Sequence, residues 1–273
     1  NSSNTFLLRA YDMTEMKNIS FLITAALLCV APLAAQEVEV PVTETVSPSS
    51  ELAEKFTNAL LGSQWKSSLE VVAESPEGGV TISFDISMQD ITHFSIAATM
   101  TSEDPFEGET VQNHKIMCDG EFLYADIEGV AELSQGMING PIKVKLSEIL
   151  KMAGVEELPT AEMIAPMVAG LLGAVPLAEE GSTDELRRYA ASSEEEGSMT
   201  VCFHASTFLL ASAEGKRPTG EMFTITTKDT AVVEEFAEGT FVYDKEAQDI
   251  TAMLQMMSGG PGAGAPADDD LEF

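Results

Sequence analysis

The residues VTISFDISM, from Val80 to Met88, constrain this chain more than any other stretch. Val80, Ile82, Phe84, Ile86 and Met88 alternate without a break with Thr81, Ser83, Asp85 and Ser87. A period of two places one face of a β-strand in a core and the other in water, and a slip of one residue would invert both faces. A strand of this kind needs neighbours with the same pattern, and the sequence supplies them. Phe94, Ile96, Ala98 and Met100 repeat it, residues 66–74 form an earlier strand, and Pro76-Glu77-Gly78-Gly79 and Gln89-Asp90 mark the turns between them. Two further strands over 110–118 and 121–127 are joined by Asp119-Gly120, a dipeptide that suits the positive φ of a tight hairpin. The expectation is an antiparallel meander.

The period then changes. Leu146, Ile149, Leu150 and Ala153 have helical spacing, as do Met163, Met167 and Leu171 with Ile164, Val168 and Leu172, with Pro159 and Thr160 at the start of that second helix. A polar helix is expected over 184–191. Strand character resumes over 198–204, 208–213, 221–227 and 231–243, and a helix over 245–257 closes the folded part. Before the first strand, Leu52, Phe56, Ala59 and Leu60 define one face of a helix over 51–61, capped by Ser49 or Ser50 and stopped by Gly62. Strands segregated from helices predict an α+β fold, with one strongly curved antiparallel β-sheet covered on its concave face by the helical insertion.

The N-terminal region reads as an export signal. Met16-Lys17 provides a start and a positive charge, an apolar run extends from Ile19 to Leu33, and cleavage is expected after Ala35. Residues 1–35 are thus upstream residues plus a signal peptide, 36–49 a linker, 50–257 a single domain, and 258–273 a disordered acidic tail. The expected location is the periplasm. The formal charge of −31 repels nucleic acid and anionic membrane surfaces, which removes nucleic acid from the partners to consider. Beyond the signal, Cys118 and Cys202 remain; export permits them to pair, and two buried thiols satisfy the sequence equally well.

A search for chemistry finds no nucleophile elbow, P-loop, H-E-x-x-H or C-x-x-C. His93, His114 and His204 fall in or beside expected strands at spacings that suggest no joint site, and the abundant acids are spread over polar faces and turns. The expectation is a protein that is not an enzyme and needs no cofactor or metal. What stands out is the apolar insertion, where Met137, Met152, Met163 and Met167 with Leu171 offer a soft surface that adapts to irregular apolar partners.

Three strings carry a family resemblance: DGEFLYADI at 119–127, VKLSEILKMAGVEEL at 144–158 and EEFAEGTFVYDKEAQDI at 234–250. With the order of elements, they resemble the LolA-like and LppX-like superfamily of periplasmic lipoprotein and lipid carriers. The resemblance implies a half-barrel closed by helices around a hydrophobic cavity. It further implies a carrier that binds an acyl chain or a lipidated protein terminus and exchanges it with membrane-bound donor and acceptor proteins. The buried arginine that ties strand to lid in that family has no counterpart among Arg187, Arg188 and Arg217. In that reading, the residues facing lipid are Phe84, Ile86, Phe94 and Ile96 on the strands and Met152, Met163, Met167 and Leu171 on the insertion. The alternative is a cavity-free exported interaction protein whose insertion is ordinary core and whose acidic surface faces solvent or a basic partner.

Overall fold

The computed structural model describes residues 48–75, 78–104, 108–134, 136, 138–152, 158, 160, 177–193 and 197–258. Four long antiparallel strands and a shorter fifth come first: β1 (Gln64–Ser75), β2 (Gly78–Asp90), β3 (His93–Asp104), β4 (Gly108–Asp119) and β5 (Phe122–Ile127). A short β6 (Ile142–Lys145) follows, then β7 (Ala178–Glu179), β8 (Leu186–Ser193), β9 (Gly197–His204), β10 (Leu210–Lys216), β11 (Met222–Val233) and β12 (Gln248–Asp249). Among the described residues these twelve make one open sheet in the order β12-β6-β5-β4-β3-β2-β1-β11-β10-β9-β8-β7. Every pairing is antiparallel except that of β12 with β6. The sheet is therefore two meanders joined at a central seam where β1 pairs with β11, Trp65 opposite Val232 and Val71 opposite Ile225. The seam carries a bulge at Ser68/Leu69.

The alternation read in β2 runs across the sheet because the register keeps like faces together. Phe84 lies opposite Leu69 and Ala98, Ile86 opposite Ile96, and Phe94 opposite Cys118, which in turn faces Leu123. On the other side of the seam Ile225 lies opposite Ala213, Ala213 opposite Val201, and Val201 opposite Tyr189. One face is mostly apolar from β6 to β8, with Ser67, Thr227 and Thr230 at the seam and Gln112 and His114 on β4 as its polar members. The other carries Asp85, Thr99, Lys115, Thr200 and Thr224. The antiparallel meander and its Asp119-Gly120 hairpin stand as the sequence reads them: Gly120 has φ +93°, and the Asp119 carboxylate accepts the N–H groups of Glu121 and Phe122 at 2.9 and 2.7 Å.

Four helices are described: α1 (Pro48–Leu61), α2 (Val130–Leu133), α3 (Leu146–Met152) and α4 (Thr251–Ser258). Helix α1 lies over the apolar face, with Ala59 and Leu60 packing into one core cluster and Leu52 and Phe56 into a second. It begins at Pro48 rather than at Glu51; a proline suits the first helical position, where no N–H is needed. It ends at Gly62, as expected, whose N–H donates to the Asn58 carbonyl at 2.7 Å.

Three other expectations are corrected. Residues 184–191 do not form a helix, because most of them belong to β8: Tyr189 and Ala191 alternate onto the apolar face and β9 offers a strand to pair with. The strands expected over 221–227 and 231–243 are one continuous β11 that stops at Val233; beyond it the chain turns, with Gly239 at φ +85° and Phe241 buried against Phe236. The closing helix starts at Thr251 rather than 245, since Gln248 and Asp249 are held as a strand beside β6. Cys118 and Cys202 are not paired; Cys118 is a buried thiol as expected, whereas Cys202 is only half-buried. They sit on β4 and β9, six strand spacings apart or on the order of 29 Å along the sheet, and on opposite faces. Among the described residues no helix is long and apolar enough to cross a membrane. The expected signal peptide, most of the linker, the helix at 160–172 and the tail beyond Ser258 lie outside the described residues.

Candidate apolar site

The strands place Phe84, Ile86, Phe94 and Ile96 side by side on the apolar face, all nearly fully buried in the first core cluster with Trp65, Val71, Met88 and Leu146. Around that packed floor, Leu69, Met100, Ile116, Leu123 and Ile225 are only partly buried. Trp65 is pinned to the helix above it by its indole N–H, which donates to the Leu60 carbonyl at 3.0 Å. Met152 sits at the end of α3 and is 39% exposed. Met163, Met167 and Leu171 lie outside the described residues. Of the eight residues assigned to lipid contact, the structure thus brings four together, and as a close-packed set.

A second cluster, not assigned from the sequence, lies across the seam. Phe203 is 1% exposed at its centre, with Phe56 of α1 at 5.3 Å, Phe208 stacked at 5.4 Å and Tyr189 edge-on at 6.0 Å between ring centroids. The alternation of Met199, Val201 and Phe203 in β9 was its sequence signal. The connection from β6 to β7 runs from near one edge of the sheet to the other, and both of its described ends are buried: Leu146 in the first cluster and Leu177 in the second.

The three histidines do not converge. His93 sits at the β2–β3 turn, where Asp90 accepts the N–H of Thr92 and of His93 at 2.7 and 2.9 Å. Burial pushes the Asp90 carboxyl up, but the Thr92 and His93 hydrogen bonds outweigh it and hold the group below its ordinary value. Burial pushes the Cys118 thiol up to about 11, so it is not a nucleophile at neutral pH. Among the described residues no group of three or more His, Cys, Asp and Glu side chains is gathered to hold a metal.

His114 differs from the other two. It lies on the apolar face of β4, opposite Ala98 of β3 and Ile127 of β5, and both ring nitrogens are buried without a hydrogen-bond partner among the described residues. Burial pushes its pKa below the ordinary 6.5, against the opposing pull of the Glu128 and Asp126 carboxylates. The folded protein therefore binds fewer protons at this site than the unfolded chain. The stability this gives is present above the unfolded value and is lost as pH falls through it toward the folded one. Of the strands beside it, β3 presents uncharged Ala98, and β5 presents Ile127 flanked by Asp126 and Glu128. Lowering the pH from about 7.5 to about 5.5 should depress the thermal midpoint of the wild type by a few degrees more than that of His114→Phe. Equal shifts in parallel circular-dichroism melts would show that His114 titrates normally.

On the opposite face, Tyr124 and Tyr243 stack at 4.8 Å, and Asp126 accepts from Tyr243 and Lys245. This ties the segment after β11 to the polar face of β5.

No family model matches the sequence, and no curated protein matches it. Solved structures do. The chain is similar to LolA superfamily structures at low sequence identity. A LolA superfamily protein from Nitrosomonas europaea matches at 12% identity and TM-score 0.27, over 73% of this chain and 99% of that one. An uncharacterized conserved protein from Thermus thermophilus matches at 10% identity and TM-score 0.39, over 74% and 98%. The Pseudomonas aeruginosa MucA/MucB complex matches at 11% identity and TM-score 0.40, over 72% of this chain and 61% of that one.

Proposed function

We propose that this protein is a periplasmic carrier that holds an acyl chain, free or attached to a protein terminus, against the apolar face of its sheet. The observation that supports this is the extent of that face. An apolar path runs through Leu123, Ile96, Phe84, Val71, Ile225 and Val201, across both meanders and the seam between them, beside Ser67, Thr227 and Thr230 at the seam and His114 on β4. The half-buried Met100, Ile116, Leu123 and Ile225 would touch the chain, with Phe84, Ile86, Phe94 and Ile96 as the floor beneath them. Each methylene moved from water onto such a surface gains about 0.8 kcal/mol, so a chain of about 16 carbons gains on the order of 10 kcal/mol before ordering costs. No polar motif is required for binding of that strength.

The near-complete burial of those floor residues favours a second reading, in which the face is ordinary core and the acidic surface serves solubility or a basic partner. Native mass spectrometry of detergent-free protein, followed by lipid extraction, separates the two. An acyl species bound at defined stoichiometry is the expected result. A clean apo mass, with no uptake of neutral or anionic acyl probes, would leave the interaction-protein reading in its place.

A further inference from the structure

A neutral imidazole carries one N–H donor and one acceptor nitrogen; the His114 side chain is half-buried with both ring nitrogens shielded from water, and neither has a hydrogen-bond partner among the described residues. Polar atoms shielded from water are almost always paired, and one without a protein partner marks a place where a water or a ligand completes the bond. The surroundings say which kind of ligand fits. Ile116 lies beside His114 on the same face, Ala98 and Ile127 lie opposite, and Met100 and Ala125 are diagonal to it, all apolar, while Gln112 on its other side is uncharged and polar. The charge nearby is negative: Glu128 accepts the N–H of Asn113, the residue before His114, at 2.7 Å, and Asp126 also acts on the imidazole. An ionised fatty acid would bring a further carboxylate into that field and into an apolar setting. An ester carbonyl or a hydroxyl hydrogen-bonds the ring without adding charge.

We propose that His114 is the polar anchor of the ligand on this face, and that the group it holds is the uncharged ester or hydroxyl end of an acylglycerol-type lipid. The proposal rests on the acyl-binding reading above and specifies its ligand class. It accounts for a histidine where the apolar face of β4 gives way to polar residues, between Ile116 and Gln112, a position at which a leucine would pack without leaving two polar atoms unpaired.

The test uses the full chain and two probes that share one acyl chain, monoolein and oleate, each below its aggregation concentration. Wild type is expected to bind monoolein about tenfold more tightly than oleate, the difference that one buried hydrogen bond supplies. His114→Phe should lose about tenfold for monoolein and nothing for oleate, while His114→Gln, which keeps a donor and an acceptor, should retain part of the preference. His114→Leu repeats the experiment with a smaller apolar side chain, and melting curves establish that each variant is folded. Equal binding of the two lipids by wild type, or a preference unchanged in the Phe and Leu variants, overturns the anchor and leaves acyl binding standing. Failure of wild type to bind either lipid overturns the acyl-binding reading and this proposal with it.

Discussion

Phe203→Ala is expected to lower the folding free energy by about 3–5 kcal/mol, the loss typical of deleting a fully buried aromatic ring. Phe203 is the hub of the second cluster. Its ring meets Phe56 from the helix above, Tyr189 from the neighbouring strand and Phe208 from the following turn, so no single neighbour can move to fill the space it leaves. Urea denaturation should show the midpoint fall with the slope unchanged, because the surface exposed on unfolding stays the same. Thr200→Ala, on the polar face of the same strand, is the control and should change stability by less than about 0.5 kcal/mol. A loss below about 1.5 kcal/mol for Phe203→Ala would mean that the helix is not packed on this half of the sheet in solution.

Gly197→Ala should be the other severe substitution. Gly197 opens β9 at φ +95°, which costs a side chain roughly 1–3 kcal/mol, and an added Cβ would stand 1.9 Å from the Lys216 carbonyl oxygen. The obstacle is backbone, so no rotamer change relieves it; either the start of β9 or the end of β10 must move. Gly220→Ala separates the two contributions, because Gly220 has φ +94° with nothing within 4 Å of its added Cβ. Gly220→Ala should cost the conformational part alone, and Gly197→Ala that plus the overlap. Equal midpoints for the two variants in thermal melts would refute the close approach of Gly197 to Lys216.

The long strands of the first meander were legible because side-chain period, turn residues and length all agreed, as in Val80 to Met88 with its flanking Gly78-Gly79 and Gln89-Asp90. Shorter elements were not. The tetrapeptide IKVK of β6 and the two-residue β7 and β12 are too brief to display a period, and they exist because a neighbouring strand offers an edge. LRRYAASS misled because its residues suit a helix; pairing with β9 decided otherwise, an instance of tertiary context overriding local propensity. For the site, alternation identified the face but could not separate residues locked in the core, such as Phe94, from half-buried ones such as Ile116. That distinction depends on where the helices lie. His114 read as one ordinary strand histidine among three; only the register, which sets it among apolar neighbours, singled it out.

The seam has a consequence for how the molecule is made. Neighbouring strands within each meander mostly meet across short turns, whereas Trp65 must find Val232 with most of the chain between them. Closing a loop of that length costs about 3 kcal/mol more than closing a turn of a few residues, so the two meanders can form early and join late. A chain emerging N-terminus first would present the β1 edge, with Leu69 and Val71 beside it, for as long as β11 is still to come. Unpaired edges of that kind recruit other chains. The interval before the two halves join is then the stage at which this protein is most exposed to aggregation, and at which a holding chaperone would have most to protect.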